Sequence, residues 1–177
     1  MKSIVRQLRP SGYARFAQGL AYGLLAFLLS SNAWALSSKA MEGTFASPKQ
    51  VTMMMYADET ECAVDGGRWN DGVCVLDVAD EVRISRKDKT LAISVEILGT
   101  NFHQCLFEAK ARRAGHRTLI AREKVTHFAD GKTTNAVCVV KVRFTGRDSV
   151  SVSNNGMCDE FCGANVGLDI EKALRKN

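Results

Sequence analysis

Between Val82 and Val152, apolar side chains recur at every second position in run after run. The runs are Val82 and Ile84; Leu91, Ile93, Val95 and Ile97; Cys105, Phe107, Ala109 and Ala111; Cys138, Val140, Val142 and Phe144; and Val150 and Val152. A strand turns successive side chains to opposite faces, so a period of two marks half-buried strands. Thr118 to Val125 supplies a further strand with less regular alternation. Between the runs lie turn-forming stretches: Lys87-Asp88-Lys89, Gly99-Thr100-Asn101, Ala114-Gly115-His116, Asp130-Gly131-Lys132 and Gly146-Arg147-Asp148. Connections this short join antiparallel neighbours. The expected fold is mainly β, an antiparallel meander of roughly six to eight strands that closes into a small barrel or sandwich to bury one face.

Both ends of the chain add to this frame. Leu36 to Val51 is small and polar, with Pro48 inside it, and reads as an extended lead-in to a first strand over Val51 to Tyr56. At the other end Val166, Ile170 and Leu174 fall at i, i+4 and i+8, with Ala173 beside them and Lys172, Arg175 and Lys176 following. That spacing and the terminal cations predict a short amphipathic C-terminal helix.

Residues 1–35 have the order of an export signal. Lys2, Arg6, Arg9 and Arg15 precede or border an apolar run from Phe16 to Leu29, and Ala33-Trp34-Ala35 places small residues three and one positions before a cut after Ala35. The run is shorter than the roughly 20 residues that span a bilayer, so no stable membrane span is expected after cleavage. No cysteine stands at the cut, and no lipid anchor is indicated. The chain therefore divides into a signal peptide, 1–35, an acidic segment with a disulfide loop, 36–81, and the meander with its helix, 82–177; the last two form one domain. The expected location is periplasmic or secreted.

Cleavage changes the charge. The whole chain carries 24 Lys and Arg against 19 Asp and Glu, and four of the basic residues leave with the signal, so 20 face 19 and the net charge is +1. A nearly neutral domain lacks the electrostatic footprint of a nucleic-acid binder. Within it the charge is polarised: residues 36–81 hold 3 basic and 9 acidic residues, and residues 82–147 hold 14 and 5.

Six cysteines, Cys62, Cys74, Cys105, Cys138, Cys158 and Cys162, all lie after the cut. An even set in an exported chain reads as a disulfide framework. The segment between Cys62 and Cys74 is dense in turn residues, which favours that pair. Cys105 and Cys138 lie on the apolar side of two strands, so a bridge between them, with Cys158 joined to Cys162, is the first expectation; an exchanged pairing, in which Cys158 or Cys162 reaches back to the strands, is the alternative. The Cys158–Cys162 spacing has one residue too many for a thioredoxin motif, no histidine follows it, and a zinc site would break up the disulfide set. Met53, Met54 and Met55 suit Cu(I) chemically, but three consecutive strand residues cannot face one site. No metal or cofactor is expected.

Outward strand positions carry the chemistry that remains. Lys110 and Arg112, Arg122 and Lys124, and Lys141 and Arg143 alternate with apolar residues on three runs and form a cationic band on one outer face. Asp58, Glu59, Glu61 and Asp65 form an acidic patch. The band suits an anionic glycan and the patch a cationic envelope protein such as a hydrolase; the alternative is that the acidic segment simply covers the basic face. His103, His116 and His127 sit in no motif with a nucleophile, phosphate-binding glycine motifs are absent, and the Asp130-Gly131 turn lacks a calcium ladder. A non-catalytic binding protein of the envelope is expected, with a small-ligand or lipid carrier barrel or a glycan-binding module as alternatives.

The order of features resembles small exported bacterial β-domains that include the periplasmic lysozyme inhibitors. The likeness rests on a cysteine on a central strand, Cys105, another on a later strand, Cys138, and a closing segment, Cys158 to Lys172, with its Cys162-Gly163-Ala164 step. It implies a small barrel and a role in inhibiting a lysozyme-type hydrolase. The Ser-Gly-aromatic element of those inhibitors occurs only as Ser11-Gly12-Tyr13, inside the export signal, so no residue role carries over.

Overall fold

The computed structural model describes residues 36–129 and 131–177; residues 1–35, where an export signal is expected, lie outside the described residues. The alternating runs form strands as expected: β1 (Gly43–Met53), β2 (Arg68–Asn70), β3 (Val73–Lys87), β4 (Thr90–Leu98), β5 (Gln104–Arg113), β6 (Thr118–Ala129), β7 (Lys132–Phe144), β8 (Ser149–Asn154) and β9 (Ile170–Arg175). Strands β3 to β9 pair consecutively and antiparallel, β9 pairs β1, and β1 pairs β3, which closes an eight-stranded barrel with β2 added on the flank of β3. Closure removes the free sheet edges that an open meander would expose.

The barrel interior is filled. Phe45, Val82, Ile93, Phe107, Leu119, Val140, Val142 and Phe144 are all buried within one core cluster. Phe45 and Phe144 meet edge to face at 5.9 Å, a geometry worth about 1 kcal/mol beyond area burial. The short helix α1 (Ser38–Met41), capped by the Ser37 side chain, packs Met41 into this core at the end where β1 begins. Arg175 clamps it there. Its guanidinium donates to the Glu42 and Ala40 carbonyls at 2.7 and 2.8 Å, pairs with Asp148 at 3.1 Å and lies 4.6 Å from the Phe45 ring centre.

β1 and β3 pair from Gly43–Ile84 to Met53–Cys74, and beyond the barrel they continue as a long two-stranded extension. It carries a second, smaller apolar cluster of Val51, Met53, Cys62, Cys74 and Leu76, flanked by Tyr56, Trp69, Val78 and Leu98. Helix α2 (Glu59–Val64) covers it and is tied down by the Cys62–Cys74 disulfide. Gly67 is required here, because a Cβ at that position would overlap the Cys74 and Cys62 sulfurs. Asp80 is buried where the two clusters meet; its carboxylate pairs with Lys49 at 2.5 Å and accepts the Leu98 N–H at 3.3 Å, which satisfies a charge that would otherwise be costly to bury.

Three expectations are corrected. The C-terminal helix is absent, because residues 170–175 are β9, the strand that closes the barrel. Its register against β8 shifts between Val150–Ala173 and Val152–Ile170, so three steps on β9 oppose two on β8. This bulge turns Ile170 and Ala173 inward together, and a three-residue spacing that imitates a helix is a strand irregularity. The lead-in is also structured. After α1, β1 begins at Gly43 rather than Val51, and Pro48 is accommodated beyond the Phe45–Ala46 limit of the β9 ladder, where β1 has one neighbour.

The third correction concerns the disulfides. Cys62–Cys74 forms as favoured, but Cys105 joins Cys162 and Cys138 joins Cys158, the exchanged pairing. Cys105 and Cys138 sit on β5 and β7 with β6 between them. The ladder between β5 and β6 runs only from Ala111–Ala121 to Arg113–Leu119. A strap, residues 158–163, closes the far end of that seam. Its 3-10 turn (Asp159–Phe161) sends Cys158 to β7 and Cys162 to β5 and sets Phe161 edge to face on Phe107 at 5.1 Å. Glu160 accepts the Thr126 N–H at 2.8 Å, and the Gly163 N–H reaches the Gln104 carbonyl at 2.7 Å. Just before the strap, the Asn155 amide accepts from Val139 N–H at 3.0 Å and donates to the Val137 carbonyl at 2.9 Å, continuing the β7 ladder with a side chain.

Three disulfides fit an oxidising, exported environment. Among the described residues no helix is long and apolar enough to cross a membrane.

Candidate functional site

The cationic band assembles on the outside of β5, β6 and β7. Along each strand the alternate residues, such as Phe107 and Ala109, Leu119 and Ala121, and Val140 and Val142, are consumed by the core, so parity turns Lys110, Arg112, Arg122, Lys124, Lys141 and Arg143 to solvent, and all six are exposed. Register then fixes their relative places. Arg112 lies opposite Ile120, and Ile120 opposite Lys141. Arg143 faces Thr118, Arg122 faces Val139 and Lys124 faces Val137. With neighbouring strands about 4.8 Å apart and alternate residues roughly 6.7 Å apart, the six charges fall within one patch about 20 Å long.

Among the described residues, none of the six enters an ion pair. The cations that do are elsewhere: Lys49, Arg68, Arg83, Arg86, Arg175 and Lys176. Among the described residues, no carboxylate of the acidic segment forms an ion pair with a cation of the band. Four of its nine carboxylates pair within the extension and along the barrel closure, where Asp77 meets Arg68, Asp80 meets Lys49, Glu42 meets Arg86, and Glu81 meets Arg83 and Lys176. Glu81 accepts from Lys176 at 2.6 Å and Arg83 at 2.7 Å, and the Lys176 hydrogen bond is the main reason its pKa is held below the usual glutamate value. Two unit charges about 7 Å apart repel by roughly 0.6 kcal/mol in a water-like dielectric. Six cations with no ion pair among the described residues thus hold a small electrostatic strain, eased in part by Glu108 beside Lys110, that an anion relieves further.

Two depressions mark the surface of the band. One, of about 850 Å³, opens beside the β5–β6 seam, where Lys87, Lys110 and Arg122 face Asp88, Glu108 and Glu123. A smaller one of about 310 Å³ adjoins it, lined by Thr90, Lys110, Ala111, Arg112, Ile120 and Arg122. Both are open, and Lys110 and Arg122 border both. They suit a chain that lies along the sheet better than a small molecule enclosed within it.

The acidic patch lies on the extension. Asp58 caps α2, accepting from the Thr60 and Glu61 N–H groups at 2.8 and 3.0 Å. Glu61 accepts the Ala57 N–H at 3.0 Å, and Asp65 accepts a hydrogen bond from the Tyr56 hydroxyl. That bond is the chief cause of a Tyr56 pKa pushed up to about 12. Of the methionine trio, Met53 is buried in the small cluster while Met54 and Met55 are exposed, so the three share no common site. Phe102, whose ring lies 6.3 Å from that of Tyr56, was not legible in the sequence; the available signal was an aromatic residue inside the Gly99–His103 turn. The chain matches no known family model, no curated protein and no solved structure.

Proposed function

We propose that this protein is an exported, non-catalytic binding protein of the cell envelope that holds an anionic glycan along its β5–β6–β7 face. The observation that carries this reading is the set of six exposed cations on one sheet face, with none paired among the described residues. A stable fold tolerates such an excess of positive charge most readily where a partner neutralises it. The packed interior supports a surface site over an internal one, because Phe45, Phe107 and Phe144 occupy the space in which a carrier barrel would hold its ligand.

Co-sedimentation of the oxidised protein with isolated peptidoglycan and with an immobilised anionic polysaccharide, at low and high salt, tests the reading. Salt-sensitive retention on the anionic polymer is the expected result. No retention overturns it.

A further inference from the structure

The tip of the β1–β3 extension carries a surface that the basic face does not use. Met54 and Met55 are 68% and 65% exposed, and Phe102, from the loop between β4 and β5, is 42% exposed. Their two segments are tied to each other: the Met54 N–H donates to Asn101 Oδ1 at 2.7 Å, and the Phe102 ring lies 6.3 Å from that of Tyr56. The loop keeps this arrangement at a cost. Asn101 and Phe102 have φ of +52° and +57°, two consecutive residues in the left-handed region that an aromatic side chain rarely enters. Backbone strain that presents an apolar ring to water is a mark of a functional site.

The surroundings specify the partner. Residues 54–67 hold four carboxylates, Asp58, Glu59, Glu61 and Asp65, and no Lys, Arg or His. Glycans and nucleic acids offer anions, which this rim repels, and an anionic bilayer does the same. Methionine and aromatic side chains are favoured at protein interfaces, where flexible thioethers fit irregular surfaces. We propose that the tip is a protein-docking surface whose partner is a basic protein presenting an apolar depression within a cationic rim. The molecule then has two opposed faces, a cationic one for a polyanion and an acidic, apolar-centred one for a basic protein.

The test is site-specific photocross-linking in the source cells, with a photoreactive phenylalanine analogue at position 102 and, for comparison, at Arg147 on the far turn. The cross-linked protein is then identified, purified and titrated against the full oxidised protein. The expected result is one basic protein captured at position 102 and not at 147, whose Kd rises at least tenfold with Met54→Ser/Met55→Ser, rises with Glu59→Lys, and changes less than twofold with Lys141→Glu/Arg143→Glu. Glu59 is chosen because its neighbours Asp58 and Glu61 hold local backbone hydrogen bonds, so a loss there reports charge and not folding. Absence of an adduct, an adduct of twice the protein's own mass, an acidic partner, or affinity unchanged in both tip variants overturns the proposal. So does tip-dependent binding to phosphatidylglycerol vesicles in place of a protein.

Discussion

Replacing Cys105 and Cys162 together with alanine should be the most damaging of the three paired disulfide deletions. In the chain-entropy description, a cross-link removes about 2.1 + 1.5R ln n cal/mol/K from the unfolded chain, which gives roughly 4.2 kcal/mol at 25 °C for a separation of 57 residues. The Cys138–Cys158 bridge lies inside that loop and short-circuits its own separation of 20. The effective loop is then about 37 residues, and the contribution is roughly 3.8 kcal/mol. The same relation gives roughly 3.3 kcal/mol for Cys138–Cys158 and roughly 2.8 kcal/mol for Cys62–Cys74, whose separation is 12. Beyond entropy, losing Cys105–Cys162 frees the strap from the seam where the β5–β6 ladder is short. Urea unfolding of the three double variants, with the remaining bridges oxidised, reads these losses from the midpoint and slope. Native-state hydrogen exchange should show Leu106–Lys110 and Arg122–Thr126 opening first in the Cys105→Ala/Cys162→Ala variant. A larger loss for Cys62→Ala/Cys74→Ala, or a seam no faster to exchange than the rest of the barrel, would refute the reasoning.

Four further outcomes are expected. Phe102→Gly relieves one left-handed residue and should raise stability by about 1 kcal/mol in thermal unfolding, because glycine adopts that φ without strain. Arg175→Ala removes two charge-assisted bonds to the carbonyls that end α1 and should cost about 3 kcal/mol, with faster amide exchange at Met41 as the local sign. Gly67→Ala places a methyl group on the Cys62–Cys74 sulfurs and should destabilise the extension, read as earlier proteolysis between Asp58 and Asn70 while the barrel stays intact. The folded pKa of Glu81 is depressed, so its contribution is complete above the unfolded glutamate value and is lost as the pH falls through the folded one; Lys176→Ala should flatten that acid-side decline in the melting temperature.

The strands whose inward residues keep strict alternation, β4, β5 and β7, were legible because every second position is consumed by one core. The cationic band was legible for the same reason: once the parity of Phe107, Leu119 and Val140 is known, the outward residues follow. What was hidden depends on contacts distant in sequence. β9 carries a bulge whose spacing copies a helix, and only the need to close the barrel against β1 decides it. The cysteine pairing turned on the short β5–β6 ladder, which no local pattern announces. The apolar tip was missed because Met53, Met54 and Met55 have no period, and because Phe102 reaches Tyr56 only through the fold.

Nuclear magnetic resonance titration of the oxidised protein with a soluble anionic oligosaccharide locates the binding face residue by residue. Chemical-shift changes should concentrate at Lys110–Arg112, Ile120–Lys124 and Lys141–Arg143 and fade as salt is raised. Changes confined to residues 54–65, or to interior positions such as Val95 and Val140, would contradict a glycan-binding role for the basic face.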